Sequence, residues 1–348
     1  MKKAILVVAL TAAALGAIWW LTEPKKPAEN AAALPDVPVN PQASSSPAAP
    51  QSAGAGTSLL WRNQSSGENL AWRFGDKGAM TPVGLWAVDS DWAVLAYVTG
   101  GWSGSDLAAW RNPANGEVRL WKVAAGAAEP STEVLPQAGA DWRLAAFVDA
   151  NADGYADAVW TSREGGVAVW LLRDGKVLEQ AMIGDTGGAW SLAQVGDFDG
   201  DGRGDLFWRK NDHASASIWS LDGAKLKSSR GLADPGSAWT LLAAGKFDGE
   251  TGDDLLWKDQ AGSLLAWSGG DVAKPVTLAR QAVADWHFVA ALDVDGNGRT
   301  DLLWRNPSTT QTGAWLLGAS GEITDLSLSP VGAEWSPISS ALVAQTGA

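Results

Sequence analysis

The chain has no cysteine and only two histidines, His213 and His287, in 348 residues. Without cysteine there is no disulfide framework, no thiol nucleophile, no lipid-anchored N-terminal cysteine and no Cys-ligated zinc. Two histidines leave too few ligands for a multi-histidine metal centre, and a His-based triad is hard to build from them. Positive charge is also scarce: Lys plus Arg is 26 against 39 Asp plus Glu, a net charge of −13. Four of the basic and three of the acidic residues precede Thr57, which leaves 22 and 36, or −14, for the remainder. Such a surface repels phosphate backbones, so no nucleic-acid partner is expected, and it suits bound cations. What the chain has in abundance is tryptophan, with 22 residues, and a hydrophobic fraction of 46%, ample for a folded core.

The N-terminus reads as an address rather than as part of the fold. Lys2 and Lys3 precede residues 4–21, which carry no charge. A helix of that length spans roughly 27 Å, close to the bilayer hydrocarbon thickness. Trp19 and Trp20 would lie at the far interface, and the lysines predict a cytoplasmic N-terminus with an exported body. Residues 1–21 are therefore expected to be a signal-anchor, with a cleavable signal peptide as the competing reading. Residues 22–56 are rich in Pro, Ala, Ser and Asn and bury too little to order themselves, so they read as a flexible linker. The expected location is a bacterial cell envelope: a periplasmic domain on an inner-membrane anchor, or a secreted domain if the segment is cleaved.

From residue 57 to 348 the chain repeats itself. Trp61, Trp110, Trp160, Trp208, Trp257 and Trp304 each close an apolar run, at gaps of 49, 50, 48, 49 and 47. A second set, Trp72, Trp121, Trp170, Trp219, Trp267 and Trp315, follows ten or eleven residues later. A third, Trp92, Trp142, Trp190, Trp239 and Trp286, precedes the next first-set member by 18 residues, and Trp335 extends it. A period near 49 suits a four-stranded propeller blade. Asp174-Gly175 and Asp222-Gly223 mark tight hairpins between third and fourth strands. The domain begins at a second strand and ends with a first strand, so both termini should share one blade. The expected fold is an all-β, six-bladed propeller closed by its termini and preceded by one N-terminal helix.

Three blades carry D-x-[DN]-x-[DN]-G-x-x-D between their first and second strands. The residues are Asp149, Asn151, Asp153 and Asp157; Asp197, Asp199, Asp201 and Asp205; and Asp293, Asp295, Asn297 and Asp301. Oxygen donors at positions 1, 3 and 5 and a turn-permitting Gly at 6 resemble the first half of a calcium loop. The seventh-position backbone carbonyl belongs to Tyr155, Arg203 or Arg299, and the ninth-position Asp stands in for a helix-borne Glu. Hard oxygen donors at this spacing select Ca²⁺ over Mg²⁺. The competing reading is a metal-free Asp/Gly turn; the same register in three repeats favours the ion. A fourth loop holds Asp248, Glu250 and Asp254 but starts at Lys246, whose ammonium opposes a cation, so it is expected to be weak or empty.

At Asp293-Val294-Asp295-Gly296-Asn297-Gly298, Asp301-Leu302-Leu303-Trp304-Arg305-Asn306 and Phe207-Trp208-Arg209 the chain resembles the FG-GAP/VCBS repeat family. The resemblance covers residues 57–348 and implies a propeller and calcium. It leaves activity open, because such propellers serve as adhesion, surface and lectin-like modules.

Strand order puts the acidic loops and the Asp-Gly hairpins on one face. The other carries Arg62, Arg111, Arg209 and Arg305 and the entries to the third tryptophan set. Trp92, Trp142, Trp190, Trp239, Trp286 and Trp335 are candidate ligand-stacking residues at the central mouth. The alternative is packing between blades with each indole N–H satisfied by backbone. His213 and His287 lie in different blades, and no carboxylate pair outside the loops stands out for acid–base work. The expected function is a non-enzymatic calcium-binding propeller that binds a glycan or protein of the cell envelope. The alternatives are a carbohydrate-active lyase or glycosidase, or an accessory subunit of an envelope assembly.

Overall fold

Period-two alternation governs every repeat. In the blade of Trp208, Leu206 pairs with Trp219 and Trp190 pairs with Lys210 across adjacent antiparallel strands. Directly paired residues share a sheet side, and so do residues two apart. Trp190, Trp208 and Trp219 are thereby sent to one face of the sheet. The same registers recur around the molecule, so each blade presents three indoles to the blade before it.

A computed structural model describes residues 57–89, 91–124 and 130–338. The expected helix at 1–21 and the linker at 22–56 lie outside the described residues. Among the described residues no helix is long and apolar enough to cross a membrane. The described strands form six four-stranded antiparallel sheets. Blade 1 joins β1 (Ser58–Asn63), β2 (Asn69–Phe74) and β3 (Met80–Leu85) to the last strand, β24 (Trp335–Ile338). Blade 2 is β4 (Ala93–Trp102), β5 (Ser105–Arg111), β6 (Val118–Val123) and β7 (Ser131–Leu135). Blade 3 is β8 (Trp142–Val148), β9 (Asp157–Ser162), β10 (Gly166–Arg173) and β11 (Lys176–Asp185). Blade 4 is β12 (Trp190–Gly196), β13 (Asp205–Lys210), β14 (Ala216–Leu221) and β15 (Leu226–Leu232). Blade 5 is β16 (Trp239–Gly245), β17 (Asp254–Asp259), β18 (Leu264–Trp267) and β19 (Pro275–Thr277). Blade 6 is β20 (His287–Leu292), β21 (Asp301–Arg305), β22 (Thr312–Leu317) and β23 (Ile323–Leu328).

The expected closure is present. β24 pairs with β1 in the register Leu60 to Ile338 through Asn63 to Trp335. One apolar cluster then joins Leu59, Trp61 and Trp72 of blade 1 to Leu292 and Leu303 of blade 6. Closing the ring this way pairs the inner edge of β1 and buries the end faces that an open stack would expose. First strands of successive blades touch, as β4 meets β8, β8 meets β12 and β16 meets β20.

Each seam has its own core, built on a tryptophan pair from the later blade. First- and second-set rings lie 4.8–5.2 Å apart at tilts of 43–56°. Such tilted pairs gain roughly 0.5–1.5 kcal/mol beyond their area burial. The indole N–H groups of Trp61, Trp110, Trp160, Trp208, Trp257 and Trp304 have no hydrogen-bond partner, and neither does that of Trp142. The same holds for Trp121 and Trp170, so the expectation that packed indoles satisfy their N–H on backbone is corrected at these nine positions. Ring contact holds the first- and second-set indoles instead. Arg62, Arg209 and Arg305 lock the seams further, each with its guanidinium 4.9–5.4 Å from the first-set ring of the next blade. Arg305 also donates to the carbonyls of Trp335, Val331 and Gly332, tying β21 to the closing segment.

Candidate metal centres on the loop face

Every acidic loop leaves a first strand and must turn sharply into a second. Glycine makes the turn possible: Gly154, Gly202 and Gly298 sit at φ of 81°, 85° and 84°, where a side chain is strained. The first-position Asp organises the turn by accepting backbone N–H groups. Asp149 accepts from Asp153 and Gly154 at 3.1 and 2.8 Å. Asp197 accepts from Gly200, Asp201 and Gly202 at 2.8–3.1 Å. Asp293 does the same for Gly296, Asn297 and Gly298 at 2.8–3.1 Å.

The ninth-position Asp has a second task that its motif position does not announce. Asp157, Asp205 and Asp301 are fully buried. One oxygen of each accepts from the second loop residue, Ala150, Phe198 or Val294, at 2.8–3.0 Å. The other accepts from the third strand, at Leu172, Leu221 or Leu317, at 2.7–3.1 Å. The carboxylate thus pins the loop to the sheet. Burial and neighbouring aspartates push Asp205 up to about 7 and Asp301 up to about 6, and they raise Asp157 well above the usual range.

Two loops bring three carboxylates together. Asp197, Asp199 and Asp205 each place an oxygen within 4.8 Å of the others, and so do Asp293, Asp295 and Asp301. These hard oxygens could hold a metal ion, and calcium is the cation such donors favour. In the blade 6 loop the Asn297 carbonyl accepts from the Arg299 N–H while its amide donates to Asp295. The blade 3 loop differs: Asn151 replaces an acid, and Asp153 is turned to Arg173 at 3.0 Å. Among the described residues its carboxylates do not converge in this way.

Basic side chains from the fourth strand, from the loop itself and from a neighbouring loop enter the loops. Lys227 of β15 reaches Asp199 at 2.9 Å and Asp201 at 2.7 Å. Arg203 approaches Asp201 at 3.2 Å and Asp222 at 3.6 Å. Arg299 donates to the Phe247 and Ala319 carbonyls, so its guanidinium lies at the blade 5 loop. There Asp254 is buried and accepts from Phe247, Asp248 and Gly269, which leaves it pushed up to about 6 by burial. Asp248 caps the Glu250 N–H at 2.7 Å, and the Lys246 side chain stays exposed. Blade 2 replaces the whole arrangement with hydroxyl donors and one arginine. Asp106 accepts from Ser58 and Tyr97 at 2.8 and 2.7 Å, with Arg73 at 3.6 Å.

Adjacent loops are also joined through backbone. Gly204 donates to the Asp149 carbonyl at 2.7 Å, Asp253 to Asp197 at 2.6 Å and Thr300 to Lys246 at 3.0 Å. Position 8 of one loop therefore holds position 1 of the preceding one. The sequence signal for these links was the constant register of the repeat.

The third tryptophan set lies in the seams. Trp142 is buried, and Trp92, Trp190, Trp239, Trp286 and Trp335 are half-buried against the seam cores. Arg119 stacks over Trp92 at 4.5 Å. His213 is an exposed turn residue at φ 54°, and His287 is exposed at the start of β20, two blades away.

Residues 149–208 match the FG-GAP-like repeat and residues 286–317 match the FG-GAP repeat. All three complete loops fall inside these stretches. No match is found among curated proteins. Among solved structures, the Photorhabdus luminescens Tc holotoxin pore with the TccC3-D651A mutation is 17% identical, with a TM-score of 0.47, over 71% of this chain. The alignment covers only 12% of that protein. The periplasmic gluconolactonase PpgL of Pseudomonas aeruginosa is 14% identical, with a TM-score of 0.46, over 80% of this chain and 81% of its own. Likenesses at this level carry no argument about activity.

Proposed function

We propose that the chain, a propeller built of FG-GAP repeats, is a calcium-stabilised binding module of the cell envelope rather than an enzyme. The observation that carries this reading is the convergence of Asp197, Asp199 and Asp205, and of Asp293, Asp295 and Asp301. Asp201 and Asn297, and the carbonyls of Arg203 and Arg299, would complete those two sites. Asp149, Asn151, Asp153, Asp157 and the Tyr155 carbonyl would form a third. A bound calcium ion supplies charge that neutralises the loop and cross-links it. The protein's own part is to hold the first-position Asp on backbone N–H groups and the ninth against the sheet.

The non-enzymatic reading rests on where the perturbed carboxyls are. Asp157, Asp205, Asp254 and Asp301 carry raised pKa values, yet all are fully buried and held on backbone N–H groups. They are positioned for structure and not for proton transfer to a substrate. The partner is a glycan or a protein, met on a closed and rigid ring. The envelope placement is a reading of the uncharged run at residues 4–21 behind Lys2 and Lys3.

Calorimetric titration of the metal-stripped protein with calcium tests the core of this reading. The expected stoichiometry is near three, because Lys246 and Arg299 already supply charge at the blade 5 loop. Lys246→Asp should add a weak fourth site. No binding heat at millimolar calcium would overturn the reading.

A further inference from the structure

The seam between blades 5 and 6 carries an arginine at a position that varies from blade to blade. In three seams, the residue six places before the third-set tryptophan meets the second-set tryptophan of the next blade. Trp86 lies edge-on to Trp121 at 6.3 Å. At Gly184 a Cβ would fall 2.7 Å from the Trp219 ring. At the blade 5–6 seam the position is Arg280, whose guanidinium lies 4.3 Å from the centroid of Trp315. Arg280 comes from the coil after β19, a fourth strand of only three residues. A cleft of about 470 Å³ lies here, walled by Trp286, Trp304 and Trp315. That size is within the range of small-molecule sites.

The polar lining is of a particular kind. Arg280 pairs with Asp325 of β23 at 2.7 Å, and their side chains are 34% and 67% exposed. The pair is neutral as a unit and keeps unused donors on the guanidinium and unused acceptors on the carboxylate. It can donate to one hydroxyl and accept from its neighbour. Gln311 adds an exposed amide. The half-buried Trp286 offers apolar surface to the C–H face of a ring, while Trp304 and the Arg280-capped Trp315 are buried behind it. An anionic ligand is disfavoured by the chain's net charge of −13 and by the neutralised Arg280. A flat, neutral, hydroxyl-rich ligand uses every one of these groups.

We propose that the blade 5–6 cleft is a binding site for a neutral saccharide residue, with Trp286 as its stacking wall and the Arg280–Asp325 pair as its hydroxyl clamp. This rests on the binding-module reading and names its ligand class. Of the six third-set tryptophans, it gives Trp286 a role beyond seam packing.

The test uses the full-length, calcium-loaded protein. The probes are glucose, galactose, mannose, fucose and N-acetylglucosamine with their short neutral oligomers, screened by saturation-transfer NMR and titrated by calorimetry. At least one probe should bind. Arg280→Ala and Asp325→Ala should each weaken it about tenfold or more, the effect of losing a charge-assisted hydrogen bond. Both side chains are partly exposed, so the melting temperature and calcium stoichiometry should stay unchanged. Arg111→Ala, at an exposed arginine of blade 2, should leave sugar binding unchanged. If no probe binds, or if binding survives both clamp variants at full strength, the cleft assignment is overturned. The calcium titration of the same samples reads the broader proposal independently.

Discussion

Chelating calcium should lower the melting temperature of the ring by a calculable amount. A ligand that binds only the folded state stabilises it by RT ln(1 + [L]/Kd). Extracellular calcium loops commonly have Kd values on the order of 10⁻⁴ to 10⁻³ M. At about 1 mM calcium each site then contributes roughly 0.4–1.4 kcal/mol, and three sites roughly 1–4 kcal/mol. A propeller of about 280 residues unfolds with an entropy of about 0.6 kcal/mol/K, so the expected shift is about 2–7 °C. The structure further divides this shift among the loops. Asp295 belongs to a three-carboxylate group, whereas the blade 3 loop has Asn151 at that position and Arg173 on Asp153. Asp295→Ala should therefore remove about a third or more of the shift, and Asn151→Ala should remove less. The quantity to compare is the calcium-minus-chelator difference within each variant. Any loop variant also loses backbone caps, such as the Asn297 N–H on Asp295 at 3.1 Å, and that loss is the same with and without calcium. Differential scanning calorimetry reads the difference directly. A wild-type curve that does not move in chelator, or an Asp295→Ala protein with the full wild-type shift, would refute the reasoning.

Three further outcomes follow from particular contacts. Lys227→Met should tighten calcium binding at the blade 4 loop, because the ammonium now on Asp199 and Asp201 competes for the same oxygens; terbium luminescence titration of the variant checks it, and unchanged affinity counts against that competition. Asp197→Ala should weaken the blade 3 site as well as its own, since the Gly204 N–H that holds the Asp149 carbonyl belongs to the blade 4 loop; calorimetry on Asp197→Ala and Asp149→Ala, singly and together, measures the coupling. The pH dependence has a definite sign: Asp205 near 7 and Asp254 and Asp301 near 6 lie above the unfolded value of about 3.9, so the metal-free ring is stabilised as pH falls from about 7.5 toward 5. Calcium affinity should decline over the same window as protons compete, and melting curves of metal-stripped protein across that range test both statements.

The blade count and closure were legible because each rests on a period that survives substitution. Three tryptophans per repeat at fixed spacing mark the strands, and the domain's out-of-phase ends force β24 beside β1. Two of the three loops converge as the spacing suggests, and Lys246 already marked the blade 5 loop as different. The contacts of Lys227 and Arg173 were not legible, because those side chains belong to no motif. Lys227 lies on a fourth strand, two residues after Lys225, in a segment whose polar composition reads only as an edge. It reaches Asp199 because the hairpin at Asp222-Gly223 folds that strand back toward the loop face. The double duty of the ninth Asp was hidden too, since a motif reports a residue's type and not how many backbone N–H groups surround it. Fixed spacing names what a repeat shares. Arg280 occupies a position held by Trp86 and Gly184 in other seams, and it is there, where neighbouring blades disagree, that a ring of near-identical units gains a site that only one seam possesses. A lectin-like role would sit on such a departure, whereas the symmetric features, the indole pairs and the pinned aspartates, are what hold the ring still around it.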